Sequence, residues 1–483
     1  MTERLLQKAL HRHQSGDLNG AKDIYIQVLA GNPDHPVALH FLGVLHCQSQ
    51  DPEAGRQFIQ KAIDIDPNNA DAHTNLGLAL RGLGRNQEAI HAHRKSLEIA
   101  PNNLAALVNL GNSLSESDDF MGAQDAYGAA LELEPNNGSV HANLGLVLKE
   151  QSKPHQAVAA MRRALELTPD LAETHHSLGM LLLQLGEFEE GWKEYEWRWR
   201  DAGFRSPRQA FQEPLWDGTD LQGQTILLYG EQGLGDTIQF CRLPPLVKGR
   251  GGTVILECAP SLVRLLGNLD GVDAVISAGE ARPPFNVQAP LLSLPGLLNI
   301  RPDTIPVPTP YISVEPGIDA AWKGRFAKAQ GLKVGLAWAG NPNHKNDRNR
   351  SIPLAAFEPM LALPGMTFYS LQVGDNASDI ETLPATCPII DLTGEVGVFE
   401  QLAGAIKNLD VFITVDTSPA HLGGAINAET WVMIPKVSDW RWFMDHQDSP
   451  WYPSLRLFRQ EKRGDWATVI NGVCNSLRKR LPT

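Results

Sequence analysis

Asp236 closes a run of three glycines in "YGEQGLGDTIQF" (229–240), directly after the apolar run "TILL". Glycines between a strand and a helix let backbone N–H groups approach a ligand at the helix N-terminus, which makes Gly233 and Gly235 a candidate ligand loop. The string is not the dinucleotide pattern G-x-G-x-x-G. No Lys-Ser/Thr pair follows it, so it is not a Walker loop either. A second constellation lies in "FITVDTSPAHLGGAI" (412–426), where a strand ends at Asp416 and Thr417, Ser418 and His421 open a helix. Oxygen donors and free N–H groups at a positive helix end are what a diphosphate requires. A third is the polar loop "AGNPNHKNDRNRSIPLAAF" (339–357). Its Lys345, Arg348 and Arg350 stand out in a chain of formal net charge -13 and could neutralise a leaving nucleoside phosphate. Gln372, in "SLQVGD" at another strand end, is a further candidate for nucleotide contact. No D-x-D string occurs after residue 66, and the lone "DID" lies within a helical repeat, so no metal is expected.

The elements that must position these residues begin with a repeat. Pro33, Pro67, Pro101, Pro135 and Pro169 follow one another at 34 residues, and Gly43, Gly77, Gly111, Gly145 and Gly179 recur in step within "LG". The second helix of each unit carries a small residue (Ala21, Gly55, Ala89, Ala123, Ala157, Gly191), as closely crossing helices need. A larger side chain comes four positions on: Tyr25, Ile59, His93, Tyr127, Met161 or Tyr195. These places resemble the tetratricopeptide (TPR) repeat over six units, to about residue 200. The resemblance implies a solenoid whose concave face binds peptide. Asn75, Asn109 and Asn143 recur before the "LG" leucine and resemble the asparagine ladder of O-linked N-acetylglucosamine transferases. Amide side chains in a row can hold an extended backbone without reading its sequence. The histidine pairs His11/His13 and His91/His93 lie on repeat helices, where i and i+2 point apart, so they are not expected to bind metal.

From residue 224 the period changes to short apolar strands alternating with helices: "TILLYGE", "GTVILECA", "AVISAG" and "VQAPLLSL". A Pro-rich bridge leads to a second set, "KVGLAWAG", "TFYSLQ", "IIDLTG", "VFITVD" and "TWVMIP". Two Rossmann-like halves resemble a GT-B glycosyltransferase. The glycine loop and the D-T-x-x-x-H string resemble glycosyltransferase family 9, the ADP-heptosyltransferase-like proteins. That resemblance implies that Asp236 acts as general base, while Asp416, Thr417, Ser418 and His421, with the helix end, hold the donor's phosphates. Glu231 is the nearest rival for the base. "VSDWRWFMDHQDSPWYPSLRLFRQ" (437–460) is read in two ways. Trp440, Arg441 and Trp442 either line a sugar pocket or pack a C-terminal lid.

The expected order is α + α/β: a TPR solenoid over 1–202, a connecting segment over 203–223, and a GT-B fold with an acceptor-side half at 224–318 and a donor-side half at 319–483. Trp192, Trp197, Trp199 and Trp216 are too many aromatics for a loose linker, so rigid packing is expected around them. The negative net charge argues against nucleic acid, and five widely spaced cysteines fit a reducing compartment. With no signal peptide and no apolar run long enough to span a membrane, a cytoplasmic place is expected. The chain resembles bacterial proteins that fuse TPR repeats to a family-9-like domain, some of them flagellin glycosyltransferases. The resemblance implies an inverting transferase with a nucleotide sugar as co-substrate, no other cofactor, and a protein acceptor recruited by the repeats. The alternatives are an inactive TPR scaffold and, behind it, a nucleotide-sugar epimerase.

Overall fold

The computed structural model describes residues 2–206, 208–307 and 310–481. It divides into two compact units, Met1–Thr174 and His175–Thr483. Helices pair throughout the first part: Thr2–Gln14 with Leu18–Gly31, Pro36–Gln48 with Pro52–Ile65, Ala70–Gly82 with Asn86–Ile99, Leu104–Glu116 with Phe120–Leu133, and Gly138–Glu150 with Pro154–Leu167. A sixth pair, Ala172–Gln184 and Phe188–Tyr195, falls almost wholly in the second unit.

Three of the periods share two local devices. The second Asn of "PNN" caps the helix that follows: Asn69, Asn103 and Asn137 accept from the N–H groups of Ala72, Ala106 and Val140 at 3.0, 3.1 and 3.2 Å. The "LG" glycine makes room for the large side chain of the partner helix. A Cβ on Gly77 would lie 2.3 Å from the His93 ring, one on Gly111 2.5 Å from Tyr127, and one on Gly145 2.6 Å from Met161. The repeat therefore encodes a helix crossing that only glycine permits.

The second unit contains two sheets. The first has the order β3-β2-β1-β4, built from β1 (Thr225–Tyr229), β2 (Thr253–Cys258), β3 (Ala274–Ser277) and β4 (Val287–Pro290), all parallel. The second is made of β5 (Leu332–Ala337), β6 (Met366–Ser370), β7 (Ile390–Asp391), β8 (Val411–Val415), β9 (Thr430–Ile434), β10 (Asp448–Ser449) and β11 (Tyr452–Arg459). Its order is β10-β11-β9-β8-β5-β6-β7, parallel except for the edge pair β10/β11. All nine strands expected from sequence form. The C-terminal string adds the antiparallel pair β10 and β11 after a 3-10 turn at Trp440–Trp442.

Strand order decides where a ligand can sit. In an open parallel sheet, loops at the carboxyl ends of strands diverge where the order reverses, leaving a crevice. In the first sheet the reversal falls between β1 and β4, and the glycine loop follows β1. In the second it falls between β5 and β8, which are followed by the basic loop and by Asp416. Chain topology thus brings three separated motifs to strand ends of the same kind.

Arg242 joins the layers of this unit. Fully buried, it donates to the carbonyls of Gln239 and Trp451 and to the Tyr311 hydroxyl, and it packs on the rings of Tyr311 and Tyr452 at 4.6 and 4.5 Å. Carbonyl and phenol oxygens satisfy the buried cation.

Candidate functional site

The glycine loop leads into the helix Leu234–Phe240, capped at Gly233, and the Asp416 string leads into Ser418–Ala425, capped at Thr417. These two helices touch at their starts. A Cβ on Gly235 would lie 2.8 Å from His421 Cδ2 and 3.3 Å from Ser418 Cα, so the third glycine is a close-approach residue. Gln232 and Gly233 are exposed, and Leu234, Gly235, Asp236 and Asp416 to Pro419 are half-buried.

Asp236 is held at both oxygens. One accepts the Gly233 N–H at 2.7 Å, closing the first turn of its own helix, and the other is paired with Arg441. Burial pushes its carboxyl above the ordinary value, against the pull of Arg441 and of the Gly233 N–H. Arg441 also donates to Gln239 Oε1 at 2.7 Å and to Asp439 Oδ1 at 2.9 Å, and its guanidinium lies 4.3 Å from the Trp440 ring centroid. Asp439 is held low by this arginine, whereas burial and the Asp439 charge push Asp416 up.

The basic loop reaches the same place through Arg350, which donates to the Asp416 carbonyl at 2.9 Å and to Asp347 Oδ1 at 3.2 Å. Gly340 sits under it, where a Cβ would meet Thr417 Cγ2 at 3.1 Å. Lys345 and Arg348 are exposed on the outer side of the loop. Asp236, Arg350, Asp416, Thr417 and Ser418 are thus brought together by two helix starts and one loop.

Two expected phosphate or nucleotide ligands have other occupations. His421 is buried, hydrogen-bonds through Nδ1 to the Tyr452 hydroxyl at 2.9 Å and stacks on Trp442 at 5.3 Å. Desolvation pushes it down to about 3, so it is a neutral packing ring and not a cation for phosphate. The Gln372 amide is spent on backbone. Its oxygen accepts from Trp338 and Ala339 N–H groups, both at 2.9 Å, and its nitrogen donates to the Ala339 and Val373 carbonyls at 3.1 and 2.9 Å. All its hydrogen-bonding capacity is used in fixing the end of β5. Trp440 and Trp442 are buried at 3% and 0% exposure, which favours their packing role over sugar stacking.

The sixth helix pair supplies groups the sequence reading did not place here. Gln232, held at φ 67°, donates through Nε2 to the Tyr195 hydroxyl at 2.7 Å, and its own N–H donates to Ser206 Oγ at 3.0 Å. Buried Arg198 donates to Glu231 Oε1 at 3.2 Å and to Ser293 Oγ at 2.8 Å. Burial pushes Glu231 up to about 7, and its Oε2 has no hydrogen-bond partner among the described residues. The only signal of this in the sequence is the density of aromatic and basic residues in "EYEWRWR". Trp192 packs edge-on against Trp440 at 5.3 Å, Trp216 is buried, and Trp197 stacks on His175 at 3.9 Å.

On the repeat helices, Asn75, Asn109 and Asn143 are half-buried. Each has its amide nitrogen engaged, by His40 Nε2 at 2.8 Å, the Ala105 carbonyl at 2.8 Å and Asn112 Oδ1 at 3.1 Å. That leaves the carbonyl oxygen and a second N–H of each for a bound chain. Buried His93 packs against Gly77, and among the described residues no three His, Cys, Asp or Glu side chains gather as a metal-ligand set. No helix among them is long and apolar enough to cross a membrane.

Comparison with known proteins bears on the repeats directly. Tetratricopeptide-repeat family models match residues 12–78, 70–103, 108–172 and 142–196, and the N-terminal region is a TPR array. Protein FlbA of Caulobacter vibrioides is 28% identical over 323 residues, taking in 62% of this chain and 53% of FlbA. The match thus spans about half the length of that curated relative. A stretch of that length exceeds the helix pairs and runs into the α/β region. Among solved structures, MamA is similar at 23% identity with a TM-score of 0.32, covering 36% of this chain and 94% of MamA. YrrB, described as a TPR protein with an unusual peptide-binding site, is similar at 18% identity and a TM-score of 0.32, covering 36% of this chain and 89% of YrrB.

Proposed function

We propose that the chain is a GT-B-type glycosyltransferase that moves a sugar from a nucleotide donor to a protein hydroxyl, with the acceptor recruited by the TPR array. The observation that carries this reading is the meeting of Gly235, the chain neighbour of Asp236, with Ser418 and His421 at the start of the helix Ser418–Ala425. In the proposed reaction the acceptor oxygen attacks the anomeric carbon, Asp236 takes the hydroxyl proton, and the bond from that carbon to the phosphate oxygen breaks. The departing charge falls to the N–H groups at Thr417 and Ser418 and to the cations of the 339–357 loop, with Arg350 nearest. The reading uses no metal or resident cofactor.

The test is a thermal-shift panel of UDP, GDP, ADP and CMP sugars, since a ligand of the folded state raises the melting temperature by mass action. One class should stabilise the protein, and Thr417→Ala with Ser418→Ala should weaken that shift. Asp236→Asn should keep the shift but lower turnover ~100-fold or more. No shift with any nucleotide would leave the chain as a TPR interaction protein.

A further inference from the structure

Arg441 binds Asp236, Gln239 and Asp439 together. Asp236 and Gln239 belong to the helix that follows the first sheet's β1, while Asp439 and Arg441 follow β9 of the second. Only 7% of the Arg441 side chain is exposed, and the flat guanidinium packs near the Trp440 and Phe240 rings, at 4.3 and 5.9 Å. A cation buried so deeply and bonded on three sides has one orientation available to it. It is therefore unlike the exposed Lys345, a side chain able to follow a substrate.

We propose that Arg441 is a positioning residue for Asp236, fixing the direction of its carboxylate and balancing its charge from the opposite sheet. The proposal rests on the reading that Asp236 accepts the acceptor's proton. With one oxygen on the Gly233 N–H and the other on Arg441, the carboxylate plane is set, and each oxygen keeps a lone pair for an incoming hydroxyl. Other charged and titratable groups act on the same carboxylate. Asp439 opposes its ionisation, while Glu231, Tyr195 of the sixth helix pair and His344 of the basic loop feel its charge. With burial and the Asp439 carboxylate working against the charged form, Arg441 is the cation that favours it.

The test compares wild type with Arg441→Gln and Arg441→Lys by two readouts. The first needs no catalysis: labelling of Asp236 by a water-soluble carbodiimide and glycine ethyl ester, which consumes the protonated carboxyl, followed by mass spectrometry between about pH 4 and 8. The midpoint of labelling should move up by ~1 pH unit or more in Arg441→Gln and by less in Arg441→Lys. The second is the pH profile of transfer. Turnover in Arg441→Gln should fall roughly tenfold or more with its acidic limb shifted the same way, while the donor KM stays within about twofold. An unchanged labelling midpoint, or a loss confined to the donor KM, overturns the proposal. A labelling shift in a protein that transfers no sugar supports the pairing and overturns the transferase reading instead. If Arg441→Gln does not fold, Arg441→Lys against wild type carries the same comparison.

Discussion

His93 shows how one residue can obey its repeat and still behave differently. The same place holds Tyr25, Tyr127 and Tyr195 in other units, but here an ionisable ring fills the space above Gly77, with neither ring nitrogen partnered among the described residues. Desolvation pushes it down to about 4. A histidine whose folded value is depressed leaves stability intact above its unfolded value near 6.5 and costs stability as pH falls toward the folded value. Between pH 7 and 4.5 this should remove up to ~2–3 kcal/mol. The substitution His93→Tyr should flatten that dependence. Urea unfolding at the two pH values checks it, and an equal loss in the variant would refute it.

At the scale of the element, neighbouring asparagines of one turn have separate duties. Asn103 accepts the Ala106 N–H at 3.1 Å and caps the helix Leu104–Glu116, whereas Asn102 is exposed. Asn103→Ala should cost about 1 kcal/mol, and Asn102→Ala only a few tenths. Hydrogen exchange of the first helical amides in Leu104–Glu116 should rise in the first variant alone. Local rules also account for what was legible here. Proline position, "PNN" and "LG" act within a turn or one helix pair, so a single sequence displays them. The strands after residue 224 were legible for the same reason, as short apolar runs between turns.

For the whole molecule the question is whether the repeats deliver a substrate. Asn75, Asn109 and Asn143 recur at 34 residues and keep their carbonyl oxygens and one N–H each for a partner. Replacing all three by Ala should remove several hydrogen bonds of ~0.5–1.5 kcal/mol each, enough to weaken acceptor binding tens-fold. Donor-induced stabilisation should be unchanged, because the three residues lie in a different compact unit from Asp236 and Thr417. Acceptor titration against donor thermal shift, in wild type and triple variant, separates the two effects. Equal acceptor binding would assign the array to another partner.

Sequence alone determined the repeat, the order of helical and α/β regions, and the strand ends that carry Asp236, Arg350, Asp416, Thr417 and Ser418. Each of these depends on periodicity or on residues within a few positions of one another. Only tertiary structure decided what each side chain has left to offer. Gln372 and His421 look like ligands in isolation, but one is consumed by Trp338, Ala339 and Val373 and the other is buried against Trp442 and Tyr452. Arg441 gains its meaning from Asp236, 205 positions away in sequence. The same holds for Arg198 and Glu231, where a buried cation meets a carboxyl whose unpartnered oxygen has no signature in the chain. Hydrogen-bond capacity and charge are spent between residues distant in sequence, and no local pattern records that pairing.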